Sequence, residues 1–342
     1  MFRTPLTIML VLATALAPLP AFAWGATGHE LVTGAAIDAL SKDLPAFLRT
    51  PTARAQIALI SREPDRWRAS GKVHDFDRDS AHFIDLGDDG AIGGVTLDAL
   101  PASRAEFEGI MHDKGVKPGA YGYLPYAMID GYQQVVKDFA YWRASKKAAG
   151  NATAKSDRDW FAADVKLREM LILRDIGVWS HYVGDGSQPQ HVTQHHAGWD
   201  AYPDPMTYPP PGQPPEVKTI HNYFEGPFVK ANVSLAAVRK AMTPYAPCGC
   251  AIEPRVSAYL KATLAQLKPL YERVASGEFK NATPKGVDFT LARVAAGASE
   301  LRNEIEDAWQ ASATAGVGYP TLNVADVEAG RVILSRLSYG AD

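Results

Sequence analysis

Hydrophobic residues recur with helical spacing along most of the chain. In the first such run, apolar side chains lie at i, i+3, i+4 and i+8, at Val32, Ala35, Ala36 and Leu40. Further amphipathic runs span about 52–67, 103–111, 125–148, 157–182, 222–242, 254–276 and 290–310. The run at 157–182 predicts the longest helix. Because period-two alternation is nearly absent, the sequence predicts an all-α fold.

Polar or glycine-rich connectors separate these runs, notably at 71–80 and 87–94. The composition does not change abruptly along the chain, and the sequence contains no internal repeat. A chain of this length can bury a large core. We therefore predict a single multi-helix domain over residues 24–342.

Composition and charge exclude several classes of protein. The 342 residues are 46% hydrophobic and 21% charged, which is typical of a globular protein rather than a disordered one. The 35 basic and 38 acidic residues exclude a polycationic nucleic-acid binder of the usual kind. Beyond the N-terminus, no apolar run approaches the length of a membrane span, so we expect no integral membrane protein.

Residues 1–23 have the pattern of a secretory signal peptide. Arg3 precedes an apolar stretch, and the segment ends in the small residues Ala21 and Ala23. A buried N-terminal helix is the alternative, which Pro18 and Pro20 disfavour. Cleavage after Ala23 would leave Trp24 with a free amine and place the protein outside the cytoplasm, secreted or periplasmic.

Histidines and carboxylates occur together in short segments. The chain has nine histidines, and five of them lie in such segments, at 24–29, 81–85, 180–191 and 221–225. The segment 63–67 adds Glu63 and Asp65.

Two of these segments repeat one spacing. His181 and Asp185 are four residues apart near the end of a predicted helix, and His221 and Glu225 repeat the spacing at the start of another. Each pair therefore projects from one helical face, with about 5–6 Å between Cβ atoms. Imidazole and carboxylate together suit zinc. Any single pair has an alternative explanation as a buried histidine bonded to an acid.

The ordered segments from Trp24 to Glu225 resemble the zinc-dependent phospholipase C and S1/P1 nuclease superfamily. The most specific element is His181-x-x-x-Asp185-x-x-x-x-x-His191. The resemblance implies a secreted, all-helical phosphodiesterase with three Zn²⁺ ions. The implied ligands are Asp65, His82, His181 and Asp185 for one ion, Trp24 (through its amine and carbonyl oxygen), His29 and the bridging Asp185 for a second, and His191, His221 and Glu225 for the third.

This ligand set implies a hydrolytic chemistry. Two zinc ions that share Asp185 would bridge a water molecule and lower its pKa toward about 7, which makes hydroxide available to attack phosphorus in line. The third ion would neutralise charge on the phosphate and the leaving oxygen. Asp65 is expected to be both a ligand and a catalytic residue that orients or deprotonates the nucleophile.

The substrate is less determined than the reaction. The five-residue step from Trp24 to His29 resembles the nuclease branch, whereas Glu225 stands where nucleases usually carry Asp and phospholipases C carry Glu. A Gly-Gly-Asn run of the nucleases is also missing after His191. We expect an S1/P1-type nuclease acting on single-stranded nucleic acids or nucleotides. A zinc-dependent phospholipase C acting on phospholipids is the alternative, followed by a zinc-binding protein without turnover.

A proline-rich loop at 202–215, with seven prolines, follows these segments. Trp199 or Tyr202 could stack on a nucleobase, or form a choline cage with Asp200 or Asp204. Packing of the tryptophan within the loop itself is the alternative. The sequence implies no protein partner.

Several other residues have alternative interpretations. Arg66 and Arg68 could contact a substrate phosphate or form exposed ion pairs, and His195 and His196 could line the edge of the pocket or lie on the surface. Cys248 and Cys250, one residue apart, predict a local disulfide, with two free thiols or an accessory metal site as alternatives.

Overall fold

A computed structural model describes residues 24–68, 70–71, 78–117 and 119–339. The predicted signal peptide lies outside the described residues. The described helices are α1 (Ala26–Asp38), α2 (Pro51–Ile60), α3 (Glu63–Arg66), α4 (Arg104–Asp113), α5 (Leu124–Asn151), α6 (Lys155–Asp185), α7 (Ile220–Tyr223), α8 (Val229–Asn232), α9 (Leu235–Ala241), α10 (Ile252–Leu264), α11 (Leu267–Ala275), α12 (Pro284–Ser312) and α13 (Val324–Glu328).

Shorter elements complete the chain. A π-helix spans Phe224–Phe228, and 3₁₀ turns span Ala46–Arg49, Leu97–Ala99, Pro189–His191 and Leu337–Tyr339. The strands form two antiparallel hairpins, Ala91–Ile92 (β1) with Val95–Thr96 (β2), and Gly316–Val317 (β3) with Leu322–Asn323 (β4). The all-α prediction is confirmed, and α6, with 31 residues, is the longest described helix as predicted.

Three predicted helices are wrong in extent because proline and capping residues divide them. The run at 52–67 ends at Ile60, and Pro64 lies in the first turn of a new helix. The run at 222–242 contains Pro227 within the π-helix and breaks at Val233. The run at 254–276 is divided before Pro269, in the first turn of α11. A proline has no N–H to donate to the preceding turn, so a continuous helix is disfavoured at the first and third of these places. At the second, the Ser234 side chain caps the new helix that follows Val233.

The α5–α6 pair is the centre of the packing, and α1 and α12 lie against it. Two glycines allow close approach. A β-carbon on Gly131 would lie 2.2 Å from the Trp179 ring, and one on Gly177 would lie 2.6 Å from Ile60. The Trp179 indole N–H donates to the Met128 carbonyl at 3.0 Å. A smaller hydrophobic cluster packs the C-terminal half of α5 against the β3–β4 hairpin.

This packing carries the end of α6 into the interior, where His181 and Asp185 are fully buried. Among the described helices, none combines the length and the apolar run that crossing a bilayer requires.

Candidate metal centre

Five ligand-type side chains from different elements meet at the end of α6. His29 comes from the first turn of α1, Asp65 from α3, and His82 from the segment that follows a helical turn at 78–80. Asp185 is at the centre of this first cluster. Its carboxylate oxygens lie 3.4 Å from His29 Nε2, 3.2 Å from His82 Nδ1 and 3.4 Å from His181 Nε2. The Asp65 Oδ1 atom lies 3.8 Å from His181 Nε2.

Three further side chains form a second cluster. His191 ends the 3₁₀ turn after α6, His221 lies in α7, and Glu225 lies in the π-helix. The Glu225 Oε2 atom is 2.8 Å from His221 Nε2 and 3.7 Å from His191 Nε2. The two imidazole Nε2 atoms are 3.1 Å apart. One ligand atom from each residue therefore points to a common position.

Backbone carbonyls orient two of the imidazoles. The Nδ1 atom of His181 lies 2.7 Å from the Ser61 carbonyl oxygen, and that of His191 lies 2.6 Å from the His82 carbonyl oxygen. When each Nδ1 carries the donated proton, Nε2 is left as a free lone pair that faces the cluster. Hydrogen bonds of this kind fix the tautomer of metal-binding histidines.

Burial keeps the ligand nitrogens neutral in the absence of a cation. It lowers the pKa of His181 and His221 to about 3, and it lowers the pKa of His29 and His82 well below its usual range. Neutral imidazole is the form that binds metals. Burial raises the pKa of the carboxyl groups instead, to about 7 for Asp65 and Glu225 and well above the usual range for Asp185.

Several buried polar atoms of both clusters are left without hydrogen bonds to the described residues. They are both ring nitrogens of His29, Asp65 Oδ1, His82 Nε2, Asp185 Oδ1, His221 Nδ1 and Glu225 Oε1. Native proteins rarely leave such atoms unsatisfied without an ion or water. The donor set, nitrogen and carboxylate oxygen with no thiolate, is the kind that zinc takes.

The groups of ligand atoms overlap with the ligand sets that the sequence resemblance implies, but one of them combines His29 with Asp65 and His181 rather than with Asp185. His82, His181 and Asp185 form one group whose ligand atoms lie within 4.8 Å of one another, and His29, Asp65 and His181 form another. His191, His221 and Glu225 form the third. These buried groups can hold metal ions. The identity and number of the ions stay predictions.

Trp24 packs beside neighbours of ligand residues from both clusters. Its side chain is fully buried, and its indole N–H donates to Ser187 Oγ at 2.7 Å, two residues after Asp185. The next residue, Gly25, donates its N–H to the Glu225 carbonyl at 3.0 Å. The structure thus joins the segment at Trp24 to both ligand-bearing elements, whereas ligation through its amine stays a prediction.

A cavity of about 140 Å³ lies against both clusters, since His82, His191 and His221 all line it. The remaining lining residues are Arg68, Phe83, Asp85, Gln190 and His196. Phe83 and Asp85 are not among the site residues that the sequence predicts. Burial raises the pKa of Asp85 to about 7. The available signal in the sequence was the position of Phe83 and Asp85 next to the predicted ligand His82.

The two arginines differ in environment. Arg66 is exposed and its guanidinium lies 2.6 Å from Glu63 Oε1, which is the predicted alternative of an exposed ion pair. Arg68 lines the cavity, with its guanidinium 3.7 Å from Asp65 Oδ1 and 2.9 Å from Asp79 Oδ1. Its positive charge acts on ligands of both clusters.

The predicted substrate residues line a different depression. Trp199, Asp200 and Tyr202 border a surface groove of about 510 Å³ together with Asp204 and Tyr208. The Trp199 ring stacks on His195 at 4.5 Å between centroids and packs against the main core, rather than only within its own loop. The structure therefore does not bring these three residues into the cavity beside the metal ligands.

No family model, curated protein or solved structure matches this chain. The geometry of the two clusters and of the cavity that borders both, together with the sequence resemblance, is therefore the basis for its proposed function.

Proposed function

We propose that this protein is a zinc-dependent phosphodiesterase of the S1/P1 nuclease type. The observation that carries the proposal is the convergence of eight histidine and carboxylate side chains in two clusters beside one cavity, seven of them buried and Asp65 partly buried. They come from segments far apart in the chain, and they are the side chains that the resemblance implies. A merely structural role does not explain so many unsatisfied buried polar atoms in one place.

In this proposal, three Zn²⁺ ions are held by the two clusters and Trp24. One would take Asp65, His82, His181 and Asp185. A second would take His29, Asp185 and the backbone of Trp24, and a third would take His191, His221 and Glu225. Zinc bound in this way supplies an activated water at neutral pH and positive charge for the phosphate oxygens.

Asp65 has the position expected of a residue that orients the nucleophile. Its side chain is 11% exposed, whereas Asp185 is fully buried. The Asp65 side chain is therefore more accessible to water than that of Asp185, and its Oδ1 atom is 3.7 Å from the Arg68 guanidinium at the cavity wall.

Arg68 would bind the substrate phosphate. Its guanidinium lies in the wall of the cavity, and a planar guanidinium can donate two parallel hydrogen bonds to phosphate oxygens. Asp65 and Asp79 hold the side chain in place, so little conformational entropy is lost when a phosphate binds.

The cavity favours a nucleotide substrate. The Phe83 ring provides a stacking surface, and the Asp85 carboxyl can hydrogen-bond to the edge of a base. A base can enter such a cavity only after it leaves its stack in a duplex, which favours single-stranded nucleic acid. With the predicted signal peptide, the proposal places this activity outside the cytoplasm.

The alternative function is a phospholipase C, which one feature of the structure favours. The groove at Trp199 and Tyr202 combines aromatic rings with the carboxylates of Asp200 and Asp204. Aromatic rings beside carboxylates suit a quaternary ammonium headgroup.

One preparation can test both functions. The zinc-loaded protein beginning at Trp24 would be assayed on single-stranded DNA and on phosphatidylcholine, with and without chelator. Chelator-sensitive release of 5′-nucleotides supports the nuclease. Release of phosphocholine with intact DNA supports the phospholipase, and bound zinc with neither activity supports a binding protein without turnover.

Two variants form a matched pair in this assay. Phe83→Ala removes the ring at the cavity, and Trp199→Ala removes the ring at the groove. A nuclease should lose DNA hydrolysis with Phe83→Ala and keep it with Trp199→Ala. A phospholipase that uses the groove should show the opposite order on phosphatidylcholine.

A further inference from the structure

The connector between α9 and α10 carries the disulfide that the sequence predicts. Cys248 and Cys250 are bonded to each other, with 5.1 Å between their Cα atoms and one residue between them. Both cysteines are exposed, as are Pro247 and Gly249. The bond therefore joins neighbouring residues of one surface loop rather than two elements of the fold.

We propose that Cys248 and Cys250 form a thiol–disulfide exchange site for the thiols of other molecules. This site contains none of the residues assigned to the proposed phosphodiesterase. Either proposal can therefore be disproved while the other stands. The proposal rests on the small ring, on the independent anchoring of the loop, and on the exposure of both cysteines.

The ring is too small for a purely stabilising role. A disulfide stabilises a fold mainly by restricting the unfolded chain, and the effect increases with the number of residues in the closed loop. This ring contains three residues, from Cys248 to Cys250. Its effect on the unfolded chain is therefore near the smallest that a disulfide can have.

Other contacts already hold the connector against α12. The Tyr245 hydroxyl donates to Asp307 Oδ1 at 2.7 Å, and the Cys248 N–H donates to Asp307 Oδ2 at 3.2 Å. The Arg302 guanidinium donates to the Thr243 carbonyl at 2.8 Å. The connector should thus keep its position when the disulfide is reduced.

Gly249 allows the Cys248–Cys250 disulfide to be reduced and re-formed without steric hindrance. Its φ is +60°, in the left-handed region that glycine enters without steric cost, and a β-carbon added to it would meet no atom of the described residues within 4 Å. The two sulfurs stay tethered two residues apart after reduction, so that the intramolecular bond can re-form readily.

The exchange has a simple balance. A thiolate from another molecule attacks one sulfur, a mixed disulfide forms, the Cys248–Cys250 bond breaks, and the released thiolate takes a proton from water. A second thiolate of the same class then attacks the mixed disulfide. Two external thiols are thereby oxidised to a disulfide, and the cysteine pair is reduced to a dithiol.

The test measures exchange in the native protein. The zinc-loaded full protein would be incubated with reduced glutathione in millimolar excess, or with a reduced, unfolded substrate protein. Alkylation and mass spectrometry would then report the state of Cys248 and Cys250. We expect reduction without unfolding, and formation of disulfides in the thiol substrate; the two arms show whether small or protein thiols react faster.

Two variants complete the test. The double variant Cys248→Ser/Cys250→Ser should lose all exchange and change the melting temperature by less than about 2 °C. Gly249→Ala, which strains the left-handed residue of the ring, should shift the equilibrium severalfold toward the dithiol. A bond that resists glutathione until the protein unfolds, or a double variant with a much lower melting temperature, would overturn the proposal in favour of a structural crosslink.

Discussion

Asp65 differs from the other carboxylates of the candidate metal centre in both position and access. It comes from the short helix α3, and its side chain faces the cavity wall at Arg68. Asp185 and Glu225 are more deeply buried and each lies close to two or three imidazoles. Loss of Asp65 should therefore affect turnover more than it affects the fold.

We predict that Asp65→Asn lowers the rate of phosphodiester hydrolysis by about 100-fold or more. Loss of a residue that binds the metal directly should cost more activity than loss of a residue that only hydrogen-bonds to a ligand. The melting temperature of the metal-free protein should change little or increase, because burial disfavours the charged form of Asp65 and asparagine is always neutral. Hydrolysis rates and thermal unfolding measured side by side would check this. Wild-type turnover in the variant would exclude the catalytic role.

A second buried acid, Asp138, should make stability depend on pH. It is 2% exposed, and its Oδ2 atom has no hydrogen-bond partner among the described residues. Burial, reinforced by the Asp175 carboxyl, raises its pKa from 3.8 to about 7. The folded state therefore binds more protons at this group than the unfolded state between about pH 4 and 7, so that its contribution to stability falls as the pH rises through this window.

We predict that Asp138→Asn, which resembles the protonated acid, is nearly neutral at pH 5. At pH 8 it should raise the free energy of unfolding by about 1–3 kcal/mol. Denaturant unfolding of both proteins at the two pH values would measure the difference. An equal effect at pH 5 and pH 8 would contradict the raised pKa.

At the scale of elements, a tight turn before α5 positions one wall of the cavity. Gly122 has a φ of +84°, and a β-carbon on it would lie 2.0 Å from the Phe83 carbonyl oxygen. Backbone hydrogen bonds join the same two segments, from Tyr123 N to the Ser80 carbonyl and from Asp85 N to the Tyr121 carbonyl. This turn therefore holds the segment that carries His82, Phe83 and Asp85.

We predict that Gly122→Ala destabilises the protein by about 3 kcal/mol or more, because a left-handed backbone and a steric overlap add together. Gly115→Ala is the matched control. Gly115 has a φ of +73°, and among the described residues no atom lies within 4 Å of a β-carbon there, so about 1 kcal/mol is expected. Chemical denaturation would compare them, and equal losses would contradict the steric argument.

For the whole molecule, the candidate metal centre joins distant parts of the chain. Its predicted ligands come from α1, α3, the segment at His82, the end of α6 and the α7 region, which includes the π-helix. A metal ion bound there would link these segments in the folded protein, and it would have no such site in the unfolded chain. At free zinc 100-fold above its Kd, each ion would add about 2.7 kcal/mol to stability.

We therefore predict that a chelator lowers the melting temperature by several degrees, and that added zinc restores it. Calorimetry with and without chelator would measure the shift. A chelator already saturated with zinc is the control for nonspecific effects. An unchanged melting temperature would contradict tight metal binding by the clusters.

Part of this architecture could be predicted from the sequence because it depends on local geometry. The helical period places His181 with Asp185 and His221 with Glu225 on shared faces, and both pairs are in contact in the structure. The apolar period likewise predicts an all-α fold, although it does not locate the breaks at Pro64 and Val233. Those breaks depend on proline and capping chemistry that an apolar pattern does not register.

Contacts between distant segments were decided by the tertiary structure. The resemblance named Asp65 and His29 as ligands, but only the packing of α1 and α3 against the end of α6 brings them to Asp185 and His181. The same packing places Phe83 and Asp85 at the cavity and leaves Trp199 in a separate groove. Sequence spacing determines which side chains share a helix face. Which faces then meet depends on how the helices pack against one another to bury their apolar residues.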